Sequence, residues 1–392
     1  MPRPPELSQR AVALKPSLTL QISAKAKTLS LAGHDICSLS AGEPDFNTPD
    51  FIVEAARQAL SDGITRYGPA AGDPDLRAAV ADKLTRENGI ETSPEQVLIT
   101  NGGKQAIYNL FQVLLNPGDE VLLPAPYWLS YPEMASLAGA TTVMIPSSAA
   151  TGFKLDLEAL EARISPRTRL LILNSPGNPT GRVMQRSELE AVAELVIRHP
   201  NLMVMSDEIY EYLLEDGLKH HSFAAVAEGI RHRCFSVNGF AKGWAMTGWR
   251  LGYLAGDATV IKAAAALQSQ STSNVCSFAQ RGALAALEGS RQCVSKMAIS
   301  YSKRRRLLSD GLSAIDGITL IPPEGAFYAF PQLPDGVTGS MEFCRRALDE
   351  QGLAVVPGLA FGDDRCIRLS CAVSREKIAD GLQRLQRVLS SF

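Results

Sequence analysis

The segment NGFAKGWAMTGWRLGY, Asn238 to Tyr253, places a lysine and an arginine among glycines at the end of an apolar run. A lysine held in a partly desolvated site, as expected for Lys242, releases its proton more easily than the free pKa of roughly 10.4 implies. Its neutral amine can then attack a carbonyl and form a Schiff base. Because a surface lysine would fit the same pattern, Lys242 needs support from other residues.

Two further charged side chains are placed where a ligand could meet them. Asp207 follows the apolar run LMVM, and a carboxylate at a buried strand end needs a cationic or protonated partner. Arg250 lies between Trp249 and Leu251, where binding an anion bidentately would satisfy the guanidinium. The alternatives are that Asp207 caps the next segment or pairs with a lysine, and that Arg250 forms a structural ion pair.

Three polar or glycine-rich turns add uncharged groups. NSPGNPTG is first a turn signal, in which Asn178 could present its amide to a ligand oxygen. Trp128 in PYW is either core filler or a stacking platform for a flat ring. NGGKQ lacks the spacing of a GxxxxGK[ST] phosphate loop. The backbone amides of Gly102 and Gly103 could still cradle a phosphate where the helix from Gln105 begins.

The elements that must position these residues alternate along the chain. Short apolar runs are separated by amphipathic stretches such as Gln105 to Leu115 and Ser187 to Arg198; the runs are VLITNG, EVLLPAP, TTVMIPS, LLILNSP, LMVMSDEIY, CFSVNGF and LGYLAG. This pattern predicts an α/β fold with a mostly parallel seven-stranded sheet covered by helices. Ligands in such sheets sit at the carboxyl ends of the strands. After about Asp257, long helices and the runs ITLIPPEGAFYAF, VVPGLAFG and CIRLSCA predict a smaller α+β domain with a closing helix from Ser374.

Composition argues against several classes of function. The net charge is -2 in 392 residues, and the densest basic run, Lys303 to Arg306, is interpreted as a solvated helix face or an interface, so no nucleic-acid partner is expected. The seven cysteines are scattered without CxxC pairs, which predicts neither a metal site nor disulfides. We expect no signal peptide, no membrane span and a cytoplasmic location.

One ligand would account for all of these groups. It would offer a carbonyl to Lys242, a protonated ring nitrogen to Asp207 and a planar ring to Trp128. It would also offer a phenolic oxygen to Asn178 and Tyr210, and a phosphate to Arg250. Pyridoxal 5′-phosphate carries all five groups. Asp207 would keep the pyridine ring protonated, which makes the ring an electron sink for a carbanion at the substrate α-carbon.

The chain also resembles the class I aminotransferases of the fold type I pyridoxal-phosphate enzymes. The ordered motifs are KPSLT, AGEPDFNTP, TRYGPAAG, GGKQ, PAPYWLSYPEM, NSPGNPTG, SDEIYE, NGFAKGWAMTGWRLGY, PEGAFY and GDDRCIRLS. Within the class it is most similar to the bacterial and plastid aspartate aminotransferases, some of which transaminate prephenate. The resemblance implies a homodimer with three parts in each chain: an N-terminal arm and first part of the small domain (1–47), a large cofactor-binding domain (48–295) and a C-terminal small domain (296–392).

The resemblance also implies roles for individual residues. Lys242 would be the Schiff-base lysine and proton shuttle, Asp207 the partner of the pyridine nitrogen, and Tyr210 and Asn178 the contacts to the ring hydroxyl. Trp128 would stack on the ring. Phosphate would be held by Arg250, by Gly103 and, from the other subunit, by Tyr67.

Substrate contacts follow in the same way. Arg368 in CIRLS would grip the α-carboxylate, assisted by the backbone of Gly42. Many relatives bind phosphate with serines where this chain has Gly239 and Ala241, so we expect phosphate contacts from other sources. No cation occurs in LQSQSTSN, Leu267 to Asn274, where some relatives bind the distal carboxylate with an arginine. In this branch Lys104 would take that role, with Lys15 and Thr19 as further candidates.

We therefore predict a homodimeric aminotransferase that works by a ping-pong mechanism. Its amino donors would be aspartate or glutamate, and its acceptors 2-oxoglutarate, oxaloacetate or prephenate. One alternative is an aminotransferase for aromatic or neutral amino acids, and another is a carbon–sulfur lyase on the same fold. A third, from a different class, is a non-catalytic regulator that binds pyridoxal phosphate.

Overall fold

The computed structural model describes residues 5–14 and 16–392, so Lys15 lies outside the described residues. The strands are β1 Cys37–Ser38, β2 Val97–Thr100, β3 Glu120–Pro124, β4 Thr141–Ile145, β5 Thr168–Asn174, β6 Met203–Asp207, β7 Cys234–Gly239, β8 Gly252–Ala255, β9 Tyr328–Ala329, β10 Leu353–Ala354, β11 Val356–Pro357 and β12 Ile367–Ser370. The α-helices are α1 Gln9–Ala13, α2 Leu18–Leu31, α3 Asp50–Ser61, α4 Pro74–Lys83, α5 Gly103–Leu114, α6 Ser130–Leu137, α7 Leu157–Glu161, α8 Arg186–Arg198, α9 Phe223–Val226, α10 Ala258–Ser271, α11 Ser277–Glu288, α12 Gln292–Ser313, α13 Ser340–Gln351 and α14 Arg375–Leu389.

The predicted seven-stranded sheet is confirmed, with the strand order β2-β8-β7-β6-β5-β3-β4. All of its pairs are parallel except those of β8, which is antiparallel to β2 and to β7. Each of the seven apolar runs supplies one of these strands. Successive side chains of β5 enter opposite layers of core, since Leu170 packs in one apolar cluster and Leu171 in the other. The near-continuous apolar character of the strands thus follows from helices covering both faces.

The helices begin where the sequence supplies caps. Asp73 accepts hydrogen bonds from two backbone amides at the start of α4, with Pro74 in the first turn. Asp257 caps α10, and Ser374 caps α14, as predicted for the closing helix.

A second set of elements contains short strands and long helices. Strands β11, β12 and β9 form an antiparallel sheet, and β1 pairs with β10 in parallel. A separate apolar cluster joins β9 and β12 to the helices α12, α13 and α14. This agrees with the expected α+β composition, whereas the domain boundaries at residues 47/48 and 295/296 stay a prediction. Across residues 5–14 and 16–392, no helix combines the length and apolar character that crossing a membrane requires.

The basic run in α12 is divided: Lys303 and Arg306 are exposed, as expected for a solvated face, whereas Arg304 and Arg305 face the protein. Arg305 is 1% exposed, donates to the carbonyl of Ala326 over 2.7 Å and pairs with Glu215. Arg304 donates to both carboxylate oxygens of Asp45, each over 2.7 Å. Two of the four cations therefore hold the helix against neighbouring segments, and a run of letters cannot distinguish such inward-facing arginines from solvated ones.

Candidate active site

A cavity of about 610 Å³ opens where β5, β6 and β7 end and α5 begins. Of the predicted site residues that the structure describes, all but Tyr67 line it: Thr19, Gly42, Gly102, Gly103, Lys104, Trp128, Asn178, Asp207, Tyr210, Lys242, Arg250 and Arg368. Parallel strands bring their carboxyl ends to one edge, which explains how residues far apart in sequence meet there.

Asp207 ends β6 with its carboxylate buried at the cavity wall, 6% exposed. Oδ2 accepts a hydrogen bond from the Tyr131 phenol over 2.8 Å, and Oδ1 accepts one from the backbone amide of Ile209 over 3.2 Å. Burial raises the pKa of Asp207 to about 6, although both hydrogen bonds favour the anion. No lysine or arginine of the described residues forms an ion pair with it. A protonated group of a ligand would supply the missing positive charge.

Lys242 lies in the loop after β7, and its Nζ donates a hydrogen bond to the carbonyl of Gly42. The rings of Tyr210 and Phe327 lie 5.6 and 5.5 Å from the ammonium. Burial lowers the pKa of Lys242 to about 8; the charge of Glu43 opposes this shift, and those of Arg368 and Arg250 add to it. The amine is therefore much easier to deprotonate than a surface lysine.

The first turn of α5 and Arg250 lie together at the cavity wall and present donors that could meet an anion. Gly102 precedes the helix at φ +77°, and no side chain caps the helix amides. The guanidinium of Arg250 contacts only carbonyls, with Nη1 2.8 Å from Thr247 O and Nη2 3.3 Å from Asn101 O. Within the described chain no carboxylate pairs with it. Free helix amides beside an unpaired guanidinium suit a phosphate.

Four glycines pack backbone to backbone beneath this site. A Cβ on Gly239 would lie 2.7 Å from the Cα of Gly252, and a Cβ on Gly252 would lie 2.5 Å from the backbone of Gly102 and Gly103. A serine at 239 would therefore displace the strand that supports the α5 terminus. Gly239 is explained by this packing, and backbone amides together with Arg250 remain as phosphate donors.

Arg368, on β12, is the buried cation at another wall of the cavity, 3% exposed. Nη1 donates to Asn178 Oδ1 over 3.0 Å and Nη2 to Ser40 O over 3.1 Å, while Nε has no hydrogen-bond partner. The guanidinium lies over the ring of Tyr328 at 4.3 Å. Burial lowers its pKa, and no carboxylate in the described part of the chain offsets its charge. Such a guanidinium is prepared to bind a carboxylate.

Lys104 lies at the cavity rim on the first turn of α5. Its Nζ is 4.9 Å from the centre of the Trp128 ring, and burial followed by the charge of Arg250 lowers its pKa. Thr19 lines the same cavity, with its hydroxyl 2.9 Å from that of Ser17. Besides Lys242 and Arg250, the cavity thus contains two further cationic groups, Arg368 and Lys104, on separate elements.

Two tyrosines in the site carried no predicted role. Tyr131 bonds Asp207 and meets the Trp128 ring edge-on at 5.3 Å. Tyr328 places its phenol 2.9 Å from that of Tyr210. Burial raises the pKa of Tyr210 well above its usual value, so its phenol stays protonated. Tyr328 belongs to the motif PEGAFY, and Tyr131 follows Trp128 by three residues. These two positions are the signals in the sequence that could have indicated a role in the site.

Tyr67 does not line the cavity of the single chain, and its side chain is 92% exposed.

Comparisons with known proteins identify relatives of the chain. The profile of the family "Aminotransferase class I and II" matches residues 34–385. The "Bifunctional aspartate aminotransferase and glutamate/aspartate-prephenate aminotransferase" of Petunia hybrida is 46% identical and covers 98% of this chain and 82% of its own. The "Aspartate/prephenate aminotransferase" of Cereibacter sphaeroides is 43% identical over 97% of this chain and 98% of its own. The solved structure of Thermus thermophilus aspartate aminotransferase with maleate has a TM-score of 0.94 and 46% identity, covering 98% of this chain and 100% of that one.

Proposed function

The chain belongs to the class I and II aminotransferase family, and we propose that it transfers an amino group from aspartate or glutamate to 2-oxoglutarate, oxaloacetate or prephenate. The names of the relatives support this substrate range. The observation that carries the proposal is the placement of Arg368 and Lys104 in one cavity with Lys242. One cation would bind the α-carboxylate common to all amino acids, and the other a second carboxylate on the side chain.

Pyridoxal 5′-phosphate is the cofactor that the residues fit. Among the described residues, no lysine or arginine forms an ion pair with Asp207 and no carboxylate pairs with Arg250, while the first turn of α5 offers free amides. We assign the ring nitrogen to Asp207, the ring hydroxyl to Tyr210 and Asn178, the ring face to Trp128, and the phosphate to Arg250, Gly102 and Gly103. When bound, the cofactor supplies a carbonyl that accepts an amine and a protonated ring that withdraws electrons from the substrate α-carbon.

The remaining chemistry belongs to side chains of the protein. Lys242 Nζ, with its lowered pKa, removes the proton from the substrate α-carbon and returns it as a general base and acid. Asp207 would hold a proton on the ring nitrogen, because no lysine or arginine of the described residues forms an ion pair with its buried carboxylate. Arg368 orients the substrate through a planar fork while its carboxylate is excluded from water. The amino donor leaves as an oxo acid before the acceptor binds, which is a ping-pong sequence.

Steady-state rates with a panel of acceptors test this proposal. The panel contains 2-oxoglutarate, oxaloacetate, prephenate and a neutral or aromatic oxo acid, each with aspartate and with an aromatic donor. We expect kcat/KM to be at least about tenfold higher for the dicarboxylic substrates. Equal values for aromatic and dicarboxylic pairs would favour the aromatic alternative, and release of ammonia with pyruvate from sulfur amino acids would favour the lyase.

We also propose that two copies of the chain form the active unit. Exposed apolar residues at the N-terminal arm, Leu7, Val12 and Leu20 at 64, 70 and 68%, support a surface that another chain covers. Tyr67 would then contact the phosphate of the other subunit. Sedimentation of the holoenzyme tests the dimer. The cytoplasmic location stays a prediction.

A further inference from the structure

A second charged region lies behind Asp207, on the side away from the cavity. Its polar side chains are buried or nearly buried and come from α4 and the segment after it, from the segment after β6, and from the residues just before α9. We call this region the rear cluster, and its members are Lys83, Asn88, Glu208, Glu211, His220 and Ser222. Lys83 and Glu208 are each 1% exposed and Glu211 is 7% exposed. None of these residues touches the cavity, and the mechanism above uses none of them.

The segment after β6 has one face toward the cavity and one toward the rear cluster. Asp207 and Tyr210, three residues apart, line the cavity. Glu208 and Glu211, also three residues apart, enter the rear cluster. A turn fixes this alternation, since the amide of Glu211 donates to the carbonyl of Glu208 over 2.9 Å. A shift of either glutamate must therefore move the residue beside it that faces the cavity.

Glu208 is held by donors on three sides. Its carboxylate accepts hydrogen bonds from Ser206 Oγ at 2.9 Å, from Ser222 Oγ at 2.6 Å and from the amide of Phe223 at 3.3 Å, and it lies 3.1 Å from His220 Nε2. Burial is the largest single influence and by itself would raise the pKa of Glu208. The charge of His220 and the hydrogen bonds from His220, Ser222 and Ser206 together lower that pKa below its usual value. The anion is thus fully engaged by the protein.

Glu211 is anchored to a distant helix. Its Oε1 is bonded to Lys83 on α4, and its Oε2 accepts from Asn88 Nδ2 over 2.8 Å. The same Asn88 amide nitrogen lies 2.8 Å from Ser222 Oγ, which joins the two halves of the rear cluster. Lys83 supplies the cation that Glu211 needs, and a protonated His220 would supply the one that Glu208 needs.

We propose that Glu208 and Glu211 are positioning residues, which fix Asp207 against the ring nitrogen and Tyr210 against the ring hydroxyl of the bound cofactor. The inference rests on the proposed function. A buried ion pair adds little net stability compared with apolar residues of similar volume, whereas it does restrict where its backbone can lie. Here such a pair would preserve the positions of Asp207 and Tyr210 at the cavity wall.

The test compares Glu208→Gln and Glu211→Gln with the control Glu120→Gln. Glu120 is also a buried carboxylate, but it is the first residue of β3 and lies at the amino ends of the parallel strands, away from the cavity. There it accepts hydrogen bonds from Ser165 Oγ at 2.6 Å and from Arg167 Nε at 2.9 Å. For each holoenzyme we would measure the melting temperature and the pH midpoint of the cofactor absorption. We expect Glu208→Gln and Glu211→Gln to move the midpoint by about half a pH unit or more. Glu120→Gln should lower only the melting temperature.

A double variant separates position from stability. Lys83→Met alone leaves the Glu211 carboxylate unpaired and should lower the melting temperature strongly. Adding Glu211→Gln removes that charge while keeping an acceptor for Asn88, so the melting temperature should recover while the pH midpoint stays displaced. A midpoint that recovers together with the melting temperature would overturn the inference.

Other outcomes are equally decisive. Variants of Glu208 and Glu211 that lose stability as Glu120→Gln does, with an unmoved midpoint, would show a structural role only. If Glu208→Gln does not fold, Ser222→Ala takes its place, because it removes a single hydrogen-bond donor to Glu208. The inference fails if that variant is stable and its pH midpoint is unchanged. A wild-type protein without cofactor absorption or amino transfer would refute the proposed function, and this inference with it. A wild type with both properties, together with variants whose pH midpoint equals that of the wild type, would refute this inference alone.

Discussion

The phenol of Tyr131 donates a hydrogen bond to Oδ2 of Asp207 over 2.8 Å, and both groups are buried at the cavity wall. The two residues are far apart in the sequence and are joined only by the fold. Because the bond stabilises the anion, it lowers the pKa of Asp207 against the larger effect of burial. Tyr131 therefore helps to keep Asp207 charged at the pH of catalysis.

Replacing Tyr131 by phenylalanine should move the acidic limb of the pH–rate profile upward. Loss of the hydrogen bond, which favours the anion, raises the pKa of Asp207, so the carboxylate is protonated at a higher pH. We expect a shift of about one pH unit in the lower midpoint of kcat/KM. Tyr127→Phe is the control, since that phenol makes no bond to Asp207, and an unmoved limb in Tyr131→Phe would contradict the role.

Lys104→Met should impair aspartate far more than an aromatic donor. The variant keeps an unbranched side chain beside the Trp128 ring but removes the ammonium, and with it the cation–π contact and the charge available to a second carboxylate. Loss of a charged hydrogen bond predicts an increase of about ten- to a hundredfold in KM for aspartate. Lys262→Met, on the exposed face of α10, serves as the control. Equal effects on both donors would remove the basis for dicarboxylate selection.

Arg368→Lys should impair all amino donors alike. The buried guanidinium uses Nη1 and Nη2 on Asn178 and Ser40, and an ammonium cannot reproduce that fork. We expect KM to rise about a hundredfold for aspartate and for a neutral donor by the same factor. A selective loss for aspartate would instead assign Arg368 to the distal carboxylate.

Uptake of the cofactor by the apoprotein should follow the protonation of Lys242. Since only the neutral amine attacks a carbonyl, the uptake rate should rise about tenfold per pH unit and level off above the pKa. The expected midpoint is about 8. Glu43 raises that pKa, so Glu43→Gln should shift the midpoint downward. A profile with a midpoint near that of a free lysine would contradict the lowered pKa.

Gly239→Ser should destabilise the protein, although serine is common at the matching position of relatives. Its Cβ would lie 2.7 Å from the Gly252 backbone, a contact that requires the strands to separate. Overpacking of this kind costs about 1 to 3 kcal/mol in the free energy of unfolding, measurable in urea. Ala241→Ser is the matched control because Ala241 borders the open cavity. Equal stability of the two variants would refute the packing explanation.

The sequence pattern predicted the strands and most of the cavity, because both follow from periodicity and from where apolar runs end. All seven large-sheet strands coincide with apolar runs, yet the antiparallel direction of β8 depends on connections that periodicity does not encode. Asp207 was found because a carboxylate at a buried strand end is unusual. Tyr131 was missed because an aromatic residue after a proline-rich turn usually packs in a core.

Buried charges were the least predictable feature. Arg305 stands in a basic run that favours a solvated face, and its burial is set by Glu215 and the carbonyl of Ala326. Glu208 likewise depends on His220 and Ser222, which follow it after a loop. Such partners are chosen by the tertiary fold and not by local spacing.

A single-turnover experiment tests the central claim most directly. The purified protein loaded with pyridoxal 5′-phosphate is mixed with aspartate and no acceptor, while its absorption and the oxaloacetate formed are followed together. We expect the absorption to change to that of the amino form of the cofactor, with about one oxaloacetate formed per subunit. We expect no reaction in Lys242→Ala. An unchanged spectrum and no oxaloacetate would contradict the assignment of Lys242 and of the reaction.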